Sequence, residues 1–114
     1  MEVVIKEKEI TWKPHPTAKG VEIKVLLSKK EHGTDITLML VKGRKGAEVP
    51  EHVHENADDI IYPISGKFKM WVEGTGEIEV EKGRIIRVPK GVKHKVYGVD
   101  EDYVVLDIFS PAIM

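Results

Sequence analysis

Apolar and charged residues alternate along Val21-Glu22-Ile23-Lys24-Val25-Leu26 and again along Lys67-Phe68-Lys69-Met70-Trp71-Val72. A period of two marks a strand with one buried and one solvated face. Further extended runs rich in β-branched and apolar residues occupy positions 34–42, 48–54, 60–64, 77–80, 84–88, 93–97 and 103–109. Turn signals separate them: Gly43 and Gly46, Ser65-Gly66, Glu73-Gly74-Thr75-Gly76, Glu81-Lys82-Gly83 and Pro89-Lys90-Gly91. No segment shows the periodicity of an amphipathic helix of about ten residues or more. Roughly nine or ten short strands joined by tight turns predict an all-β chain folded as a two-sheet jelly-roll barrel. The first 20 residues carry the least pattern and are expected to wrap the outside or to pair with a second subunit.

The length of 114 residues fits one compact domain spanning 1–114. Lys and Arg number 18 against 19 Asp and Glu, for a net charge of -1. That balance excludes the basic footprint of a nucleic-acid binder. Apolar runs stay far below the roughly 20 residues that cross a bilayer. The segment Met1-Glu2-Val3-Val4-Ile5-Lys6-Glu7-Lys8 lacks a secretory pattern, so a cytoplasmic location is expected. The absence of cysteine removes disulfides and thiolate ligands. Glutamine is absent, Asn56 is the single asparagine, and 32% of residues are charged, a composition that points to a thermophilic source.

With thiolates excluded, attention falls on histidines and acids. His52 and His54 are two apart, so on a strand both imidazoles point to one face. Asp58 and Asp59 follow closely, and His94 opens a later strand-like run. Neutral imidazoles with one carboxylate suit a divalent Mn, Fe, Zn, Ni or Cu ion. Asp59 supplies that carboxylate, or Asp58 does, or the ion has only the three histidines.

The glycines and prolines around these residues keep a recognisable spacing. Gly46 is followed after five residues by His52-Val53-His54, then after four by Asp59 and after six by Gly66. Gly83 is followed after five residues by Pro89, after one more by Gly91 and after two more by His94. These spacings resemble the two motifs of the cupin family, with Asp59 where the family carries Glu and Gly98 where it often carries Asn. The resemblance implies a double-stranded β-helix, one divalent metal ion held inside it by His52, His54, Asp59 and His94, and a homodimer.

Residues 103–109 form an apolar strand interrupted by one acid, Asp107, which shares a face with Tyr103, Val105 and Phe109. A carboxylate there is costly to bury unless it meets a polar, metal-containing cavity or a structural partner. In the first case it serves as a general acid or base. The ending Leu106-Asp107-Ile108-Phe109-Ser110-Pro111 resembles that of KdgF-type cupins, which open 4,5-unsaturated uronate monomers into linear keto sugars. The resemblance implies that Asp107 and Phe109 line an active site. In those proteins an arginine shortly after the proline holds the substrate carboxylate, and Ile113 stands there in this chain. Trp71 and Tyr97 read first as packing residues, with either a candidate to line the pocket mouth and Tyr97 a candidate substrate contact. His15, between two prolines, reads as loop, and His32 as turn.

The function expected from these residues is Lewis-acid catalysis on a small sugar acid or keto acid, with Asp107 moving a proton. An Fe-dependent dioxygenase and a non-catalytic small-molecule binding or sensing cupin are the alternatives.

Overall fold

The computed structural model describes residues 2–114. The alternating segments become ten strands: β1 (Lys13–Pro14), β2 (Val21–Leu27), β3 (Thr37–Gly43), β4 (Val49–His52), β5 (Asp58–Ser65), β6 (Lys67–Val72), β7 (Gly76–Glu81), β8 (Ile86–Val88), β9 (His94–Tyr97) and β10 (Tyr103–Ser110). They form two antiparallel sheets, a six-stranded β1-β2-β3-β10-β5-β8 and a four-stranded β4-β9-β6-β7. The β5–β6 and β6–β7 neighbours in sequence join by tight turns, while β10 crosses back to insert between β3 and β5. This is the jelly-roll architecture expected from the strand pattern.

Strand parity decides what each sheet buries. Phe68, Met70 and Val72 of β6 point inward with Val80 and Val96, and meet Ile61, Val88, Tyr103 and Val105 of the larger sheet. Met70 is fully buried at 0% exposure, so truncating it to Ala should cost about 2–5 kcal/mol. Lys67 and Lys69 of the same strand face away from this core, opposite Glu81 and Glu79 of β7. The outer face of the larger sheet is unusually apolar, with Ile60, Leu106 and Ile108 half-buried and Tyr62 and Ile64 exposed.

One short helix falls between β2 and β3 (α1, Lys29–His32). Its start is set by Ser28, whose Oγ accepts from the Glu31 N–H at 3.1 Å, and its end by Gly33 at φ 69°. One turn of helix is too short to leave a periodic signal, which is why residues 34–36, read as strand, lie outside β3. The N-terminal segment wraps the edge of the larger sheet. Lys13–Pro14 pairs with β2, Lys24 reaches the Glu7 carboxylate at 2.8 Å, and Lys24 and Lys42 sit over the Trp12 ring. No helix among the described residues is long and apolar enough to cross a membrane.

Gly66 turns β5 into β6 at φ 76°, and a Cβ there would strike the Asp102 carbonyl and the Tyr103 backbone. The chain therefore needs glycine at this point both for its dihedral and for the close approach of β10.

Candidate metal centre and cavity

His52 is the last residue of β4 and pairs across the ladder with His94, the first of β9. Their rings lie 4.1 Å apart between centroids. A register shift between Val49 and His52 bends β4 at this point. His54 lies two residues beyond the end of β4, yet its ring still reaches the same cluster, 5.1 Å from His52 and 5.5 Å from His94. Asp59 enters from β5, where it pairs with Phe109 on one side and Val88 on the other.

The ligand atoms of His52, His54, Asp59 and His94 lie within 4.8 Å of one another. Asp59 Oδ2 is 3.3 Å from His94 Nε2 and 3.7 Å from His54 Nε2. His52 Nδ1 lies 2.8 Å from the Pro50 carbonyl and His94 Nδ1 lies 3.0 Å from that of Val92. Each Nδ1 is therefore assigned the proton, which leaves the Nε2 lone pair free to ligate. Burial holds His52 and His54 below the usual imidazole range, so both stay neutral at physiological pH. Asp59 Oδ1 and His94 Nε2 are buried without any hydrogen-bond partner. Such orphaned atoms are rare in a folded core, and a divalent cation among three imidazoles and a carboxylate satisfies both. The four residues fit such an ion.

Asp107 is the diagonal neighbour of Asp59 on the β10–β5 ladder, since Asp59 pairs with Phe109 and Asp107 with Ile61. The two carboxyls are pushed in opposite directions. Burial and then Asp59 raise Asp107 well above the usual carboxylate range. For Asp59, burial favours the neutral form, but Asp107, His94 and His54 together outweigh it and hold its carboxyl below that range. Two acids so divided leave one ionised toward the cluster and one protonated. Burial, and next the Asp107 charge, push the Tyr103 hydroxyl up to about 12. Asp107 Oδ1 is the third buried atom without a partner.

Asp107 and the cluster open on a cavity of about 560 Å³. Met39, Val41, Phe68, Val96, Val105 and Phe109 supply its apolar walls, and the Phe109 ring sits edge-on to His54 at 4.9 Å.

Three placements differ from, or add to, the sequence expectation. Tyr97 does not line the cavity: His94 and Val96 of β9 point inward, so Tyr97 points out and donates its hydroxyl to Glu77 at 2.6 Å. Asp58 likewise faces away from the cluster, bonded to the Lys90 N–H at 3.0 Å and to Arg87 at 3.1 Å. His15, read as loop, lies on the cavity rim. Its Nδ1 accepts from the Thr17 and Ala18 N–H groups at 3.1 and 3.0 Å, which fixes the remaining proton of the neutral ring on Nε2 as a donor. The Pro14-His15-Pro16 setting was the only sequence signal for it, and that setting indicates a constrained turn without indicating what the turn faces. Ile113 is also part of the lining.

Comparison with known proteins agrees with this picture. The model described as "Cupin domain" matches residues 39–109. The pectin degradation protein KdgF of Dickeya dadantii is 32% identical over 77 residues, covering 68% of this chain and 69% of that protein. Quercetin 2,3-dioxygenase of Bacillus subtilis is 26% identical over 80 residues, which is 70% of this chain and 23% of the enzyme. Among solved structures, KdgF from Halomonas sp. superposes with a TM-score of 0.81 at 26% identity, covering 96% of this chain and 94% of that one.

Proposed function

The chain belongs to the cupin family, and we propose that it is a mononuclear metal-dependent enzyme that moves a proton on a small oxygenated molecule, by ring opening or isomerisation of the kind the KdgF likeness implies. The observation that carries this reading is the Asp107 carboxyl, set on an apolar wall diagonal to Asp59, with one oxygen buried and unpartnered. In this reading His52, His54, Asp59 and His94 hold a divalent ion. When bound, that ion supplies Lewis-acid polarisation of a substrate oxygen.

Asp107 does the proton chemistry. Held neutral by burial and by Asp59, it gives its proton to the carbon of an enol and regains one from the enol hydroxyl, so that C=C–OH becomes CH–C=O with no net proton consumed. The apolar walls exclude water, and Phe109 limits how the substrate lies against His54. The chain acts as a homodimer in this reading, supported by the apolar outer face around Tyr62, Ile64, Leu106 and Ile108.

The test is solvent-deuterium incorporation into a panel of enolisable carbonyl compounds, the unsaturated uronate monomer included, followed by NMR in D2O. Exchange should require the metal and disappear in Asp107→Asn. Full exchange in that variant rejects the role of Asp107. Iron in protein purified without added metal, with O2 consumed, favours the dioxygenase that the quercetin 2,3-dioxygenase similarity suggests.

A further inference from the structure

We infer that the molecule taken by this cavity is uncharged and largely apolar, an enol, phenol or 1,3-diketone presenting an oxygen pair to the histidine cluster, in preference to a carboxylate sugar. The inference rests on reading the cavity as the substrate site. It starts from the charges of the lining. Glu51, Asp59 and Asp107 are acids, and no Lys or Arg among the described residues lines the cavity. A sugar acid that met the cluster through its hydroxyl or carbonyl oxygens would leave its carboxylate among apolar walls with no cationic side chain to pair with it. An unpaired buried charge of that kind is strongly unfavourable, and proteins ordinarily meet it with a guanidinium or ammonium group.

Ile113 lines part of the wall, and it is held there. Thr37, fully buried, accepts through Oγ1 from the Ile113 and Met114 N–H groups at 3.0 and 3.1 Å and donates to the Met114 carbonyl at 2.9 Å. This stitching keeps residues 113–114 against the cavity. The walls then reward apolar surface: Met39, Phe68, Val105 and Phe109 have little else to offer a ligand. The volume, about 560 Å³, lies inside the range of small-molecule sites. A divalent ion held by His52, His54, Asp59 and His94 would favour a ligand that offers oxygen atoms. His15, with its proton on Nε2, adds one neutral donor at the rim.

The experiment is calorimetric titration of the wild-type protein, both dialysed against chelator and loaded with Zn, using 1-phenylbutane-1,3-dione and galacturonate as probes. The dione should bind at least about tenfold more tightly than galacturonate in both forms, and more tightly with Zn than without. Ile113→Arg, checked for an unchanged thermal transition, should narrow that preference by about tenfold or more. Galacturonate binding as tightly as the dione, or no dione binding in either form, overturns the inference. An unaltered preference in folded Ile113→Arg overturns the role given to Ile113. If Zn is not taken up, the metal reading fails by itself, and the chelated protein still decides the ligand class.

Discussion

The N–H of Gly91 donates to the carbonyl oxygen of His54 at 2.8 Å. This single bond joins the turn that aims His94 to the segment that carries the other two histidines. A second tie reinforces it, because Asp58 accepts from the Lys90 N–H in the same turn and pairs with Arg87. These two partners, the backbone N–H first, hold the Asp58 carboxyl below the usual carboxylate range. The residue beside Asp59 therefore helps to position the turn that aims His94.

The two aspartates should then separate in a metal-competition titration. Asp59→Ala removes a ligand and should cost most of the affinity. Asp58→Ala leaves all four ligands but loosens the turn before His94, for a loss of about 10-fold, the lower end of what supporting residues contribute. An Asp58→Ala loss equal to or larger than that of Asp59→Ala would show the assignment is reversed. His52→Ala and His94→Ala should each leave well under one ion per chain by elemental analysis.

For metal-free protein the Asp107 shift has a definite pH signature. Its folded value is raised, so its stabilising contribution is complete below the ordinary value of 3.8 and is lost as pH rises through the folded value. Asp107→Asn has no proton to lose. The melting temperature of Asp107→Asn relative to wild type should therefore climb as pH rises above the ordinary value of 3.8. A difference that stays flat as pH rises shows that Asp107 ionises normally.

Gly66→Ala should be among the most damaging single-methyl changes in the chain. The residue sits at φ 76°, and the added carbon meets backbone atoms of Asp102 and Tyr103, which cannot swing aside. A cost on the order of 3 kcal/mol is expected, or a drop in melting temperature of roughly 10 °C or more. Gly33, equally left-handed but with open space around it, is the control and should lose about 1 kcal/mol.

Tyr97→Phe should leave ligand binding unchanged and shift stability by less than about 0.5 kcal/mol, because the hydroxyl bonds Glu77 on the exposed side of the smaller sheet. Any change in ligand affinity above twofold would return Tyr97 to the cavity.

Much of the fold was legible because strands declare themselves by a period of two. The limits of β6 match the alternation at residues 67–72, and the inward face of β10 is the one that Tyr103, Val105, Asp107 and Phe109 share. The cluster was legible from spacing, although His54 reaches it from beyond the end of β4. Strand parity also sets Tyr97 on the face opposite His94, so its outward facing was legible from the same period of two, against its placement at the pocket mouth. What spacing could not convey was the path of residues 2–20, whose contacts with β2 and the cavity rim depend on distant partners such as Lys24 and Lys42. The α1 turn escaped because one helical turn is specified by a cap and a glycine, with no repeat to detect.

The pairing of His52 with His94 across β4 and β9 also bears on the order of events during synthesis. A chain leaving the ribosome exposes His52, His54 and Asp59 well before His94, and the ladder that brings them together requires β9 to dock. An ion met early finds only a loose, incomplete set of donors. For an ion held by these four residues, tight capture would wait until the barrel has closed, when pocket shape could weigh in the choice of element.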